Sequence, residues 1–175
     1  MSGLIEMDEY HLRRQEKAMT ARSEMLDIIR GQKYMTLAMC DGDKPYLATV
    51  NYGYDAKHDV FYFHCASTGR KVKCLRANPV VWGQILEDGG YAKAQCDHAY
   101  RTVQFGGRVE FIESVEGKRS ALKLMLAHLE NDRRGKRLKK VDDSRLEGMA
   151  VCMVKVEGMS GKFNSPKKVL LVSSM

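Results

Sequence analysis

The residues His64-Cys65-Ala66-Ser67-Thr68-Gly69-Arg70-Lys71 hold the densest chemistry of the chain: an imidazole, a thiol, a run of small residues and two adjacent cations. They follow the strand-like run Val60-Phe61-Tyr62-Phe63 and open a short helical pattern over Gly69 to Ala77, which Asn78-Pro79 stops. A small-residue turn that leads into a helix presents main-chain N–H groups to an anion, and phosphate suits such a cradle. Cations in a first helical turn oppose the helix dipole, and a bound anion would relieve that mild penalty. The residues by themselves leave two readings open, an anion site and a solvated pair of surface cations. His64 reads either as a structural histidine in an apolar strand or as a polar group at the phosphate turn.

Other chemistry is absent. There is no glycine-rich dinucleotide fingerprint and no P-loop; Gly161-Lys162 lacks the earlier glycine. The five histidines show no zinc-ligand spacing, and Cys96 with His98 has no second pair nearby, so no protein-held metal is expected. No nucleophile-elbow serine is present. Trp82 reads as core. The basic run Arg133 to Lys140 holds six cations in eight residues without interleaved aromatics, a composition that favours a solvated loop over nucleic-acid binding.

The bulk numbers fit one soluble domain. The 175 residues suffice for a substantial core, and 44% hydrophobic with 29% charged residues is ordinary globular composition. A net charge of +7 favours anionic ligands. Five cysteines, an odd count without CxxC spacing, point to a reducing, cytoplasmic setting. The opening Met1 to Glu9 is polar and acidic, and no apolar run approaches the roughly 18 residues that span a bilayer, so no leader and no membrane span are expected.

The elements that must position the turn follow from periodicity. Residues 4–30 read as helical, within an N-terminal helical segment 1–32, with Thr20 and Ser23 offering caps and Gly31 a stop. Tyr34 to Cys40, Tyr46 to Tyr54 and Val60 to Cys65 read as three strands of an antiparallel meander, the first two joined by a turn at Asp41 to Pro45. Val80 to Leu86 is a fourth strand. Glu87 to His98 reads as loop. Tyr100 to Ile112 is a fifth strand bent at Gly106-Gly107. Val115 to Glu130 has apolar residues at helical spacing, and Asn131 to Arg145 reads as irregular or partly helical. Met149 to Val156 is the last strand, before a C-terminal tail, 157–175. The pattern predicts one domain over residues 1–175, of α+β class and mainly β: a six-stranded antiparallel split barrel with flanking helices.

Several short motifs occur in a telling order: Arg13-Arg14-Gln15, Leu37-Ala38, Pro45-Tyr46, Asn51-Tyr52-Gly53-Tyr54, Tyr62-Phe63-His64-Cys65-Ala66, Gly69-Arg70-Lys71, Asn78-Pro79, Tyr100-Arg101-Thr102-Val103, Phe105-Gly106 and Gly161-Lys162. In this ordered set the chain resembles the pyridoxamine 5′-phosphate oxidase-like, FMN-binding split-barrel family, and within it the nitroimidazole-resistance branch. The resemblance implies a homodimer with FMN in grooves at the dimer interface. It implies that Thr49, Val50 and Asn51 line the isoalloxazine, that His64 and Ala66 lie under the ribityl chain, and that Thr68, Arg70 and Lys71 hold the phosphate. Tyr100, Arg101, Thr102 and Val103 would come from the partner subunit. His64 would be the candidate catalytic or orienting residue. The implied activity is reduction of a small electron-poor molecule, nitroimidazole-like compounds being one class, with electrons from an unidentified donor. The alternative is a flavin- or haem-binding electron carrier, with His64 or His98 as haem ligands. The family's C-terminal Arg-x-His substrate pattern has no match, so oxidation of pyridoxamine phosphate is not expected.

Overall fold

The computed structural model describes residues 13–93, 95–132 and 136–165. Period-two alternation of apolar residues dominates the chain and produces one sheet of eight strands. In chain order these are β1 (Ala18–Met19), β2 (Tyr34–Asp41), β3 (Lys44–Asn51), β4 (Gly53–Asp55), β5 (Val60–Ala66), β6 (Val80–Ala92), β7 (Asp97–Ile112) and β8 (Met149–Asn164). Among the described residues four α-helices accompany them: α1 (Arg22–Gly31), α2 (Arg70–Ala77), α3 (Val115–Glu130) and α4 (Asp143–Glu147). Every pairing is antiparallel, and the order is β3-β2-β6-β7-β8-β5-β4, with β1 beside β8. The two ends of that path, β3 and β4, are separated in sequence only by Tyr52. The sheet therefore curls until its edges meet without pairing. This is a split barrel of α+β class.

Both faces of the wall carry a core. Inside, Leu37, Phe61, Phe63, Ile85, Val103 and Phe105 are completely buried. The Phe61 and Phe105 rings stack with centroids 4.3 Å apart, and Tyr52 meets Phe61 edge-on at 5.5 Å. Phe105 lies across its cross-strand partner Gly83, where a Cβ would fall 2.1 Å from the ring. Outside, Ala121, Leu122 and Met125 of α3 join Leu138, Leu146 and Val151 in a second cluster over β5 and β8. The Lys118 ammonium is buried with it, donating to the carbonyls of Leu146, Glu147 and Met149 at 3.1, 3.3 and 3.0 Å. A buried charge so satisfied acts as a cap for α4 and the entry to β8.

Several expectations hold closely. Helix α3 begins and ends where its spacing placed it, with Ser114 accepting from the Gly117 N–H and Asn131 closing it in a left-handed conformation. The Gly106-Gly107 bend coincides with a register shift against β8.

Others are corrected. The helix expected over residues 4–30 is α1 alone within the described range; Gln15–Lys17 is a 3-10 turn, and Ala18–Met19 is drawn into the sheet by Lys162 and Gly161. Ala21 stands at the cap position with no side-chain bond, so Thr20 and Ser23 do not serve there. The strand expected over Tyr46 to Tyr54 breaks at Tyr52 into β3 and β4, and β3 does not pair with β5, which dissolves the meander. Most of the stretch Glu87 to His98, expected as loop, is strand: Glu87 to Ala92 belong to β6, and Asp97 and His98 to β7. The ladder between β6 and β7 continues to Ala92 and Asp97 through a bulge at Asp88 to Gly90. Strand β8 continues through 157–164, because β7 is long enough to pair it there; the rest of the expected tail, 166–175, lies outside the described residues. Trp82 faces outward, half-buried, 3.3 Å from the Gln104 Oε1.

The crossing residue provides a test. Tyr52 is fully buried, and its hydroxyl lies 2.7 Å from the Ile29 carbonyl and 3.0 Å from that of Gln32. Tyr52→Phe should cost about 1–3 kcal/mol, measured by urea unfolding, because it leaves buried acceptors without a donor.

Candidate functional site

The seam where the sheet edges fail to pair is a groove of about 550 Å³. Thr49, Val50 and Asn51 of β3 form one wall. His64, Cys65 and Ala66 of β5 form the other, with Lys71 from α2 and Met149 from β8 at its end. Strand alternation decides what each offers. Thr49 and Asn51 are exposed, whereas the Val50 side chain is buried in the barrel core. Because β3 is an edge strand, alternate main-chain N–H and C=O groups along it have no ladder partner and face the seam. Side-chain contacts fix this wall, with Thr36 and Thr49 hydroxyls 3.0 Å apart and Asn51 Nδ2 donating to the Lys33 carbonyl at 3.0 Å.

The turn of small residues delivers α2 as the sequence implied. Gly69 precedes the helix at φ 119°, a conformation that favours glycine, and nothing caps the helix from a side chain. The first turn carries no acidic residue. Lys71, in that first turn, is the cation that lines the groove.

The groups in the wall titrate accordingly. Desolvation, and then the Lys71 charge, lower the pKa of His64 from its ordinary 6.5. Hydrogen bonding from the Cys152 thiol brings the Cys65 thiol down to about 7; burial opposes this, and Lys71 assists it. The same pairing, with burial, pushes the Cys152 thiol far up. The two thiols are thus paired across the wall, with Cys65 the more acidic of the two.

Of the residues expected in the site, Thr49, Val50, Asn51, His64, Ala66 and Lys71 come together in this groove. Thr68 sits in the exposed turn before Gly69 and does not line it. Arg70 is turned to the β2–β3 hairpin, with its Nε 3.0 Å from the Asp41 carboxylate and its guanidinium 4.6 Å above the Tyr46 ring. Of the two adjacent cations, Lys71 lines the groove and Arg70 does not. Tyr100, Arg101, Thr102 and Val103 lie on β7, away from the groove of their own chain. Among them Arg101 binds Glu87 through both carboxylate oxygens, at 2.6 and 2.7 Å. Thr102 donates to the Ile85 carbonyl at 3.0 Å, and Val103 is wholly inside the core. Sequence reading missed Cys65 as a wall residue and Met149 altogether. Met149 enters only because β8 pairs it opposite Ala66, a long-range register with no local signal. Among the described residues no cluster of three metal-ligating side chains occurs, and no helix is long and apolar enough to cross a membrane.

Comparison with known proteins agrees with this fold. The sequence profile described as pyridoxamine 5′-phosphate oxidase matches residues 21–163. The chain belongs to that family. Among solved structures, a candidate 5-nitroimidazole antibiotic resistance protein from Bacteroides thetaiotaomicron is 26% identical, with a TM-score of 0.72 over 83% of this chain and 86% of that one. A flavocytochrome from Azotobacter vinelandii is 19% identical, TM-score 0.76, over 88% and 72%. An FAD- and haem-binding protein from Mycobacterium smegmatis is 17% identical, TM-score 0.73, over 86% and 74%. No curated protein matches the chain.

The electrostatics of the groove have a measurable sign. With its folded pKa below the unfolded value, His64 leaves stability intact above about pH 6.5, and stability is lost as the pH falls toward the folded value. An NMR titration should place the His64 midpoint below 6.5, and Lys71→Ala should move it upward without bringing it fully back, since desolvation is the larger cause.

Proposed function

We propose that the groove binds FMN and that the protein is an FMN-dependent oxidoreductase of small electron-poor molecules, nitroaromatic compounds being a candidate class. The observation that carries this reading is the meeting, in one groove of about 550 Å³, of an unpaired strand edge, a polar wall and a cationic helix N-terminus. The volume falls within the ~300–1,000 Å³ usual for small-molecule sites. Lys71 and the first N–H groups of α2 suit a phosphate. The edge of β3 suits the donors and acceptors on the polar rim of a flavin, and the Thr49 and Asn51 side chains can reinforce it. FMN, when bound, would supply the electron-transfer chemistry, so the protein's part is to bind, orient and hold protons. His64, kept neutral at physiological pH, either orients the cofactor or serves as a proton relay beside it.

The same reading includes a homodimer, which the exposed outer face favours. Leu47 on β3 and Leu86 on β6 are 65% and 50% exposed, and Ala38 and Trp82 stand in register with Leu47 across the outer face. Thr49 of the groove belongs to that face too. An exposed apolar patch continuous with an open groove suits a second copy that covers both. Tyr100 and Arg101 of the expected segment, which are only part-buried in their own chain, would then be the ones able to complete the partner's site, whereas Thr102 and Val103 are buried in their own fold.

The haem alternative would need an imidazole free to bind axially. His98 has its Nε2 2.6 Å from the Asp88 carboxylate, which leaves His64 as the better candidate. A visible spectrum of the purified protein separates the two, since bound flavin absorbs near ~450 nm and haem near ~400 nm. Lys71→Ala should weaken FMN binding by about 1.5–3 kcal/mol, the worth of a charged hydrogen bond. Arg70→Ala should cost less than ~1 kcal/mol, since that side chain holds a partly exposed ion pair with Asp41. Equal losses, or none, by calorimetry would place the phosphate elsewhere. Saturating FMN should also protect Cys65 from alkylation by iodoacetamide at pH 7.5, read by peptide mass spectrometry.

A further inference from the structure

Behind His64 and Met149 lies a second cavity, of about 310 Å³, on the outer side of the barrel wall. Those two residues line both spaces. The rest of this cavity is unlike the groove. Leu126 and Leu129 of α3 face Leu138 and Val141 across it, and the second core cluster forms its floor. An apolar space of this size is much larger than the voids left by ordinary packing, and it falls at the lower end of the small-molecule range.

Two cations stand at its rim. Arg137 is engaged, with its Nη1 3.1 Å from the Glu130 carboxylate. Arg145 also lines the cavity, is exposed, and makes no side-chain hydrogen bond or ion pair among the described residues. The carboxylate of Asp142, which feels the Arg145 charge, is directed to the Ser144 N–H and hydroxyl at 2.8 and 2.6 Å. Asp142 is near enough to feel the Arg145 charge, but no side chain among the described residues hydrogen-bonds its guanidinium, and at the mouth of an apolar pocket such a fork suits a carboxylate on an apolar body.

We propose that this pocket binds a small, flat, apolar molecule bearing one carboxylate. The acid lies at Arg145 and the apolar body lies against His64 and Met149, at the border of the groove. Binding there stands on the pocket alone; its use as the substrate site rests on the flavin reading. The pocket's position explains why an imidazole is set in the shared wall, within reach of ligands on both sides.

The test compares 2-naphthoate with the uncharged 2-naphthalenemethanol on the full chain by calorimetry. The acid should bind at least tenfold more tightly. Arg145→Glu should remove that preference and Arg145→Lys should retain most of it, while circular dichroism and FMN affinity stay unchanged. Leu126→Trp, which fills the pocket, should weaken both compounds at least tenfold. The His64 ring signals should shift on naphthoate binding. Equal affinity for acid and alcohol, an Arg145→Glu variant that still prefers the acid, or competitive displacement of naphthoate by FMN would overturn the proposal. Normal FMN binding with no naphthoate binding overturns the pocket alone. Naphthoate binding that depends on Arg145, in a protein that binds no FMN, supports the pocket and overturns the flavin reading.

Discussion

Between Asn51 and Gly53 the chain leaves one edge of the sheet and joins the other, and Tyr52 holds that crossing. Its ring packs on Phe61 inside the barrel and against His128 of α3 at 4.8 Å, while its hydroxyl binds the carbonyls at the end of α1. His128 Nε2 in turn lies 2.8 Å from the Gln32 carbonyl. One residue therefore ties the strand edges, the N-terminal helix and the outer helix together. Because the crossing takes a single residue, β3 and β5 are held side by side without the register that would let them pair. The seam is a consequence of that constraint, and the groove is the seam.

The groove's chemistry then follows from strand period and helix direction. On β5, His64 and Ala66 alternate with Cys65, so that the imidazole belongs to the outer face and the thiol is the one that reaches Cys152. At the end of β5 the positive-φ Gly69 turns the chain into α2, whose Lys71 lines the seam. The same cation lowers the pKa of both His64 and Cys65. An anion at Lys71 would weaken both effects, which couples occupancy of the groove to the protonation of its wall.

The two cores divide the work around His64. The inner core, with Phe105 laid over Gly83 and stacked on Phe61, sets the curvature of the wall. The outer cluster under α3 and α4 packs less completely and leaves the cavity beside His64. Lys118 caps α4 and so fixes the segment that carries Arg145. The His64 imidazole, between a polar groove and an apolar pocket, is thus positioned by elements distant in sequence.

Local physics made much of this legible in advance. Alternation marked most of the strands, i, i+3, i+4 spacing gave α3 to the residue, and the small-residue turn marked where β5 hands over to α2. The wall residues Thr49 to Asn51, His64 and Ala66 were likewise nameable, because ordered motifs carry the family pattern. What the sequence could not determine was long-range. The break at Tyr52 interrupts an apparently continuous strand, because sheet closure outweighs local β propensity. The hairpin over Glu87 to His98 extends because each strand supplies the other's hydrogen bonds, despite its glycines. Arg70 is drawn away by Asp41 and Tyr46, partners supplied by a different hairpin. Met149 and the pocket behind it arise from the β5–β8 register and the packing of α3, which only the closed tertiary structure decides.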